Sequence, residues 1–346
     1  MRRLAFMLLF LAGSVASAAA ADGAVADFYR DKQIRLVLSA GPGGGYAAYA
    51  QAFAPYFAKY LPGKPDIVIQ NMPGGGGLRA MQYFAKVAPR DGSVLGLVHS
   101  SVPFAPLYGV AGANFDPRKM HWIGSINATN AICISTAKSG VRKWKDLFTG
   151  RYIVGGTGAG SQMETMPAMI NKLFGTKIRI ISGYRGGNEV YLAMQRGEIN
   201  GRCGALVSSL QATRPGWLSK GKVVVPIAVG MKRNPLFPDA PALGEFVKDQ
   251  RTRQILKLIL LPLEMDRPIL APAGVPKARL AALRAAFHKA VNDPNFRADA
   301  RRLRLEVKEV SGARIKRIIA KAFALPPDIV RAANEAMTVS GAESAH

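Results

Sequence analysis

The chain of 346 residues is 49% apolar and 20% charged, with 36 Gly, 22 Pro and 2 Cys, a balance that excludes a disordered chain, a collagen and a disulfide-dense miniprotein. Its length allows about two domains, each able to bury its own core. The formal charge of +25 is spread along the chain, and the densest basic stretch, 297–321, has neither a reading motif nor stacking aromatics, so no nucleic acid is expected as a partner.

At the amino end, Met1, Arg2 and Arg3 precede an apolar run over 4–15 and small residues at A-x-A spacing. This reads as a secretory signal over 1–21, removed between Ala19 and Asp22. The run is too short for the ~20 residues of a membrane span, and the most apolar later stretch, 255–263, is broken by Lys257 and Pro262. The mature protein is therefore expected to be exported and not itself membrane-spanning.

A β-branched run over 34–40 ends in the glycine turn from Gly41 to Gly45, and apolar residues at helical spacing follow over 46–60. The unit repeats as a strand at 67–70, a turn from Asn71 to Gly77 and a helix at 78–87, and a third strand at 94–98 ends in His99-Ser100-Ser101. This alternation predicts an α/β domain with an open parallel sheet. Past the Pro/Gly-rich loop at 103–117, a second series predicts strands at 122–126, 131–136 and 152–155, then the turn Gly156-Thr157-Gly158-Ala159-Gly160-Ser161 and a helix to Phe174. A strand at 178–182, a helix at 187–196 and strands at 201–206 and 223–229 complete a second α/β domain. A helix at 255–261, a short strand at 268–271 and carboxy-terminal helices follow, and 340–346 is expected to fray.

An exported chain meets an oxidising compartment, so Cys133 and Cys203, each on a predicted strand of the same region, are expected to form a disulfide; two buried thiols are the alternative. The four histidines, His99, His121, His288 and His346, have no metal-ligand spacing, and neither a metal nor a cofactor is expected.

Three turns of small residues stand between a strand and a helix, at 41–46, 74–77 and 157–161. A helix start offers free N–H groups and the positive end of a dipole, and glycine lets a ligand approach the backbone. With Ser100, Ser101 and Ser161 as further donors, the set describes an anion site beyond the carboxyl ends of the strands. Rival readings of the glycines fail on neighbouring residues: no Asp or Glu ends the strand at Gln70 and Asn71 to hold a ribose, and no turn carries Gly-Lys-Ser/Thr. Ser161 lies in no G-x-S-x-G elbow, Glu164 suits the helix dipole, and His99 reads equally as a ligand contact or a packed residue. The donors lack a nucleophile and base, so the site is expected to hold a solute rather than transform it, which makes the protein no enzyme.

Several segments resemble the signature segments of the solute-binding proteins of tripartite tricarboxylate transporters, the Bug family. They are Gly41 to Tyr46, Gln70 to Gly74, Ala88 to Ser93, Ser182 to Glu189 and Arg196 to Gly204, in order across 27–333. The resemblance implies a periplasmic two-lobe receptor of type II, Venus-flytrap topology with three-layer lobes, 22–125 plus 230–346 forming lobe one and 126–229 lobe two. It implies a mono-, di- or tricarboxylate ligand held by backbone amides in the cleft and closure by hinge motion. Its partners would be the large and small membrane subunits of a tripartite carrier, and the receptor itself a monomer. The matching ligand-binding residues are Gly41, Gly43, Gly44, Gly45, Tyr46, Gly76, Gly77, Ser100 and Ser101 in lobe one. In lobe two they are Asn127, Thr157, Gly158, Ala159, Gly160, Ser161, Tyr184, Gly204 and Ala205. Where the family commonly has Asp and, four residues on, Arg, this chain has Ala47 and Gln51, which makes the local field more positive and favours simple carboxylates over amino acids. A secreted α/β enzyme on an anionic substrate and a ligand sensor feeding a signalling partner are the alternatives.

Overall fold

The valine-, isoleucine- and leucine-rich runs become two six-stranded sheets in the computed structural model, which describes residues 23–158, 161–339 and 343–344. The signal segment expected at 1–21 lies outside the described residues. The first sheet holds β1 (Gln33–Leu38), β2 (Asp66–Asn71), β3 (Val94–Leu97), β4 (His121–Ser125), β10 (Pro268–Ala271) and β11 (Val310–Ser311), in the order β11-β4-β10-β3-β1-β2. The second holds β5 (Ala131–Thr136), β6 (Ile153–Gly155), β7 (Arg179–Ser182), β8 (Gly201–Leu206), β9 (Val223–Val229) and β12 (Glu343–Ser344), in the order β12-β7-β6-β8-β5-β9.

The strands of the strand–turn–helix units pair in parallel, β1 with β2 and β3, and β6 with β7 and β8. The first sheet is not wholly the open parallel sheet expected, since β10 runs antiparallel to β3 and β4, and in the second β5 runs antiparallel to β8 and β9. Chain direction explains the difference. The units send their strands toward the interlobe side, where the glycine turns lie, whereas β5 and β10 enter from the other sheet at that side and run away from it. The two crossings, 126–130 and 230–267, brace each other: Ile126 N donates to Arg267 O at 3.2 Å, Asp266 N to Asn127 O at 2.9 Å and Thr129 N to Leu263 O at 3.0 Å.

The Gly45–Tyr60 helix buries Tyr46, Tyr49, Ala50, Phe53 and Phe57, spaced three and four apart so that they share one face. Phe53 meets Phe57, Phe287 and Phe296 at ring-centroid distances of 5.5, 5.5 and 5.4 Å. Each such side chain contributes about 2–3 kcal/mol by burial, so this cluster fixes the helix and its amino-terminal turn on the first sheet. Gly124 of β4 is glycine because the Phe287 ring occupies the place of its side chain.

The carboxy-terminal segment 230–346 divides between the sheets. The Lys277–Val291 and Gly312–Phe323 helices pack on β4, while the Gln250–Leu260 and Pro327–Met337 helices pack on each other and the latter on the Gln162–Phe174 helix of the second sheet. Glu343–Ser344, within the end expected to fray, pairs in parallel with Ile181 and Ser182 of β7. Cys133 of β5 and Cys203 of β8 form the expected disulfide. It sits at a bulge in the β5–β8 pairing, beside Gly204 in the left-handed region (φ 68°), where a Cβ would run into the Gln162 carbonyl.

Candidate functional site

Four helices begin at the space between the sheets without a side-chain cap: Gly45–Tyr60 after Gly44, Leu78–Lys86 after Gly77, Gln162–Phe174 after Ser161 and Gly187–Arg196 after Gly186. Elsewhere Asp249, Asp293 and Ser311 accept from first-turn N–H groups, while the Lys277–Val291 and Pro327–Met337 helices start bare after Pro276 and Pro326. The starts at Gly45, Gln162 and Gly187 leave first-turn backbone donors, with the positive ends of their dipoles, at one cleft, whereas at Leu78 the preceding turn already takes Leu78 N to Gly75 O and Arg79 N to Gly74 O. Three buried hydroxyls there, Ser101 Oγ, Thr157 Oγ1 and Ser161 Oγ, have no hydrogen-bond partner among the described residues. Ser161 occupies a capping position yet its hydroxyl caps nothing. The cavity they line measures about 90 Å³, room for roughly half a dozen water-sized groups, which suits a small organic anion.

The lobes face each other closely. Gln162 Nε2 donates to Ser100 Oγ at 3.1 Å across the cleft. A Cβ on Gly41 would lie 3.6 Å from Arg185 O, one on Gly43 3.7 Å from Asn188 Nδ2, and one on Gly158 (φ 112°) 3.9 Å from Gly76 N. At Gly45 there is no room at all, because Ser209 occupies that volume.

His99 lines the cavity with its backbone N donating to Ser39 Oγ at 2.8 Å and its Nδ1 3.1 Å from Gly76 O. That carbonyl only accepts, so Nδ1 carries the proton. Burial, with Arg267 and Arg202 nearby, brings the ring down to about 4, so it is neutral at physiological pH. Tyr46 donates to Asp266 O at 2.8 Å and accepts from Ser100 N at 3.2 Å, and burial pushes its hydroxyl up to about 12. Beneath them Arg267, fully buried, pairs with Asp266, donates to Ser209 Oγ at 2.7 Å and is flanked by the rings of Tyr46 and Tyr49. Burial raises the Asp266 carboxyl to about 6 against the pull of Arg267. This cluster joins helix start, crossing strand and second sheet at the hinge.

Of the residues expected from sequence, Gly41, Gly44, Gly45, Tyr46, Gly76, Gly77, Ser100, Ser101, Thr157, Ser161 and Gly204 line the cavity. Gly43 and Gly158 stand behind it in the apposed turns. Ala159 and Gly160 lie outside the described residues. Three others are placed away from the cavity. Asn127 is fully buried in the hinge, its Nδ2 3.4 Å from both Tyr49 Oη and Asp266 Oδ2. Tyr184 packs its ring against Gly155, and Ala205, on the face of β8 opposite Gly204, belongs to the core. The cavity also takes in Gln162, Asn188, Tyr191, Arg202 and Ser209, which sequence reasoning missed. For Arg202 a signal existed: it is the one charged residue in a strand of small and apolar ones, Gly201–Leu206.

A family model described as the tripartite tricarboxylate transporter family receptor matches residues 54–334. Among solved structures, the periplasmic binding protein BugD is 19% identical and superposes with a TM-score of 0.72, covering 92% of this chain and 100% of its own. MatC from Rhodopseudomonas palustris with bound malate is 19% identical with a TM-score of 0.68 over 86% of this chain and 99% of its own. R. palustris Rpa4515 with adipate is 18% identical with a TM-score of 0.68 over 87% of this chain and 97% of its own.

Proposed function

This chain belongs to the tripartite tricarboxylate transporter receptor family, one of solute-binding receptors and not of enzymes, and on that premise we propose that it is an exported periplasmic receptor for a small carboxylate. The solute, a mono-, di- or tricarboxylate, is captured between lobes 22–125 plus 230–346 and 126–229, with the Gln250–Leu260 and Pro327–Met337 helices riding on the second. The receptor acts as a monomer and hands its solute to the large and small membrane subunits of a tripartite carrier.

The observation that carries this reading is the convergence of three helix starts with free first-turn amides and of three buried hydroxyls, unpartnered among the described residues, on one cavity. These groups donate, and an ionised carboxylate only accepts, so one such group satisfies several of them at once. A buried donor left without a partner costs about 1–3 kcal/mol. Binding recovers that cost, and the contacts come from both lobes, so binding and closure proceed together. The malate and adipate held by two structural relatives agree with a carboxylate.

The test is a thermal-shift screen of the mature protein against mono-, di- and tricarboxylates, with sulfate, phosphate, nucleotides and amino acids as controls. A ligand at ~100 times its dissociation constant adds about 2.7 kcal/mol of stability. A selective shift by a carboxylate supports the reading; a flat carboxylate series beside a nucleotide or phosphate hit refutes it. Delivery is tested separately, by solute uptake in cells with and without the two membrane subunits.

A further inference from the structure

Arg202 of β8 is 94% buried by its 6% relative exposure, lines the cavity, donates no side-chain hydrogen bond and forms no ion pair among the described residues. Its Nε is buried without a partner. The guanidinium lies 4.7 Å from the Tyr191 ring centroid and against Gly187, at the uncapped start of the Gly187–Arg196 helix. Its surroundings are positive. Arg214 stands 5.3 Å from the same Tyr191 ring and, among the described residues, is bonded to neutral oxygens alone, Asn188 Oδ1 at 2.6 Å and Thr213 O at 2.7 Å. Arg267 has Asp266 as its own partner, and Arg185 has Glu189. A buried charge is ordinarily paired, and one held without a partner beside a helix dipole of the same sign is strongly unfavourable.

We propose that Arg202 is the charge-reading residue of the cleft: its guanidinium pairs with the anionic group of the solute and so sets the receptor's requirement for an anion. This rests on the receptor reading and deepens it by naming the side chain that selects the ligand's charge. Backbone amides and hydroxyls favour an anion but also bind a neutral polar solute, whereas a buried unpaired guanidinium needs a counter-charge. The planar fork of Arg also favours a carboxylate held through two parallel hydrogen bonds. The positive field of Arg214 and of the Gly187–Arg196 helix start adds to the selection, since an amino or guanidino group on the solute would be repelled there.

The experiment compares wild type, Arg202→Met and Arg202→Lys, each as mature full-length protein. Without ligand, Arg202→Met is expected to melt no lower than wild type, because it removes an unpaired buried charge and keeps the apolar stem. In calorimetric titration with malate, adipate and the strongest carboxylate of the screen, Arg202→Met is expected to lose roughly 30- to 1,000-fold in affinity. Arg202→Lys should recover part of it. A ligand-free Arg202→Met that melts well below wild type would make Arg202 a structural residue and overturn the proposal, as would binding within threefold of wild type. If wild type binds no carboxylate, the melting comparison still decides: a stable Arg202→Met upholds the unpaired guanidinium while the carboxylate reading fails, and an unstable one sinks both.

Discussion

Replacing His99 by Gln should change the shape of the stability–pH curve, not only its height. His99 is held neutral: its Nδ1 proton is given to Gly76 O at 3.1 Å, its ring meets Tyr46 edge-on at 4.7 Å, and burial with two neighbouring guanidiniums brings it from 6.5 to about 4. In the unfolded chain the ring takes up a proton near 6.5, so between pH 6.5 and 4 the unfolded state binds more protons than the folded one. Stability from this group is therefore complete above pH 6.5, falls as the pH falls through that window and is flat below 4. At 1.36 kcal/mol per pH unit the loss has a ceiling of about 3 kcal/mol, and the ring's partial exposure to solvent brings it to roughly 2–3. Asp266 works the other way. Raised from 3.8 to about 6, it binds more protons in the folded state and favours folding at the acid end of the same window. The wild-type curve alone is thus the sum of opposed slopes, and only the difference between proteins isolates the histidine. Urea unfolding of ligand-free wild type and His99→Gln at pH 7.5, 6, 5 and 4 should give a gap that shifts by about 2–3 kcal/mol in the variant's favour toward acid. Parallel curves would mean that His99 titrates normally in the fold and would refute the argument.

Three further outcomes follow from the geometry. Gly45→Val should push Ser209 away and hold the lobes apart, lowering carboxylate affinity at least tenfold and enlarging the liganded radius of gyration in solution scattering; wild-type affinity would show that this approach is not needed for closure. Ser161→Ala should weaken binding by about 1–2 kcal/mol and leave ligand-free melting unchanged, because Ser161 Oγ bonds nothing among the described residues; equal affinity in calorimetry would remove this hydroxyl from the site. Denatured, unreduced protein should show no reactive thiol, and Cys133→Ala with Cys203→Ala should cost up to about 4 kcal/mol from the chain entropy of a loop spanning 70 residues; two titratable thiols would refute the bridge.

Much of the fold is legible because its local signals agree with its long-range packing. The strands Ala131–Thr136, Gly201–Leu206 and Val223–Val229 and the Gly187–Arg196 helix stand where hydrophobic spacing and glycine stops put them. Strand direction is not local information: β5 and β10 run antiparallel because of where the chain crosses, which no period reveals. The Val207–Thr213 helix, two turns long, follows β8 without a break, and its Ser208 and Ser209 look like loop residues until their burial against Asp266 and Arg267 is seen. In the cleft, glycine turns announce themselves, while Arg202 stands out among 47 basic residues only by its place in a strand of small and apolar ones. Asn127 and Ala205 miss the cavity because the neighbouring hinge and strand faces lie on the other side of the same backbone.

The distribution of helix caps gives the cleft its logic. A Ser, Asp or Asn cap is worth about 1 kcal/mol over Ala and only a few tenths over Gly; away from the cleft this chain caps with Asp249, Asp293 and Ser311 and starts two helices bare, after Pro276 and Pro326. At the cleft it has Gly44, Gly77 and Gly186, and a Ser161 whose hydroxyl stays uncommitted. A little stability is forgone at these starts, and an anion in the cleft supplies an acceptor to the amides left free there. The same holds for Arg202, which lacks a counter-charge where the chain gives one to Arg267 and Arg185. Bringing the lobes together without a solute shuts these donors and this cation away from water with nothing to accept from them, while a bound anion satisfies both lobes. The closed arrangement is thereby made conditional on the ligand, which is the property a receptor needs if a carrier is to distinguish its loaded form from its empty one.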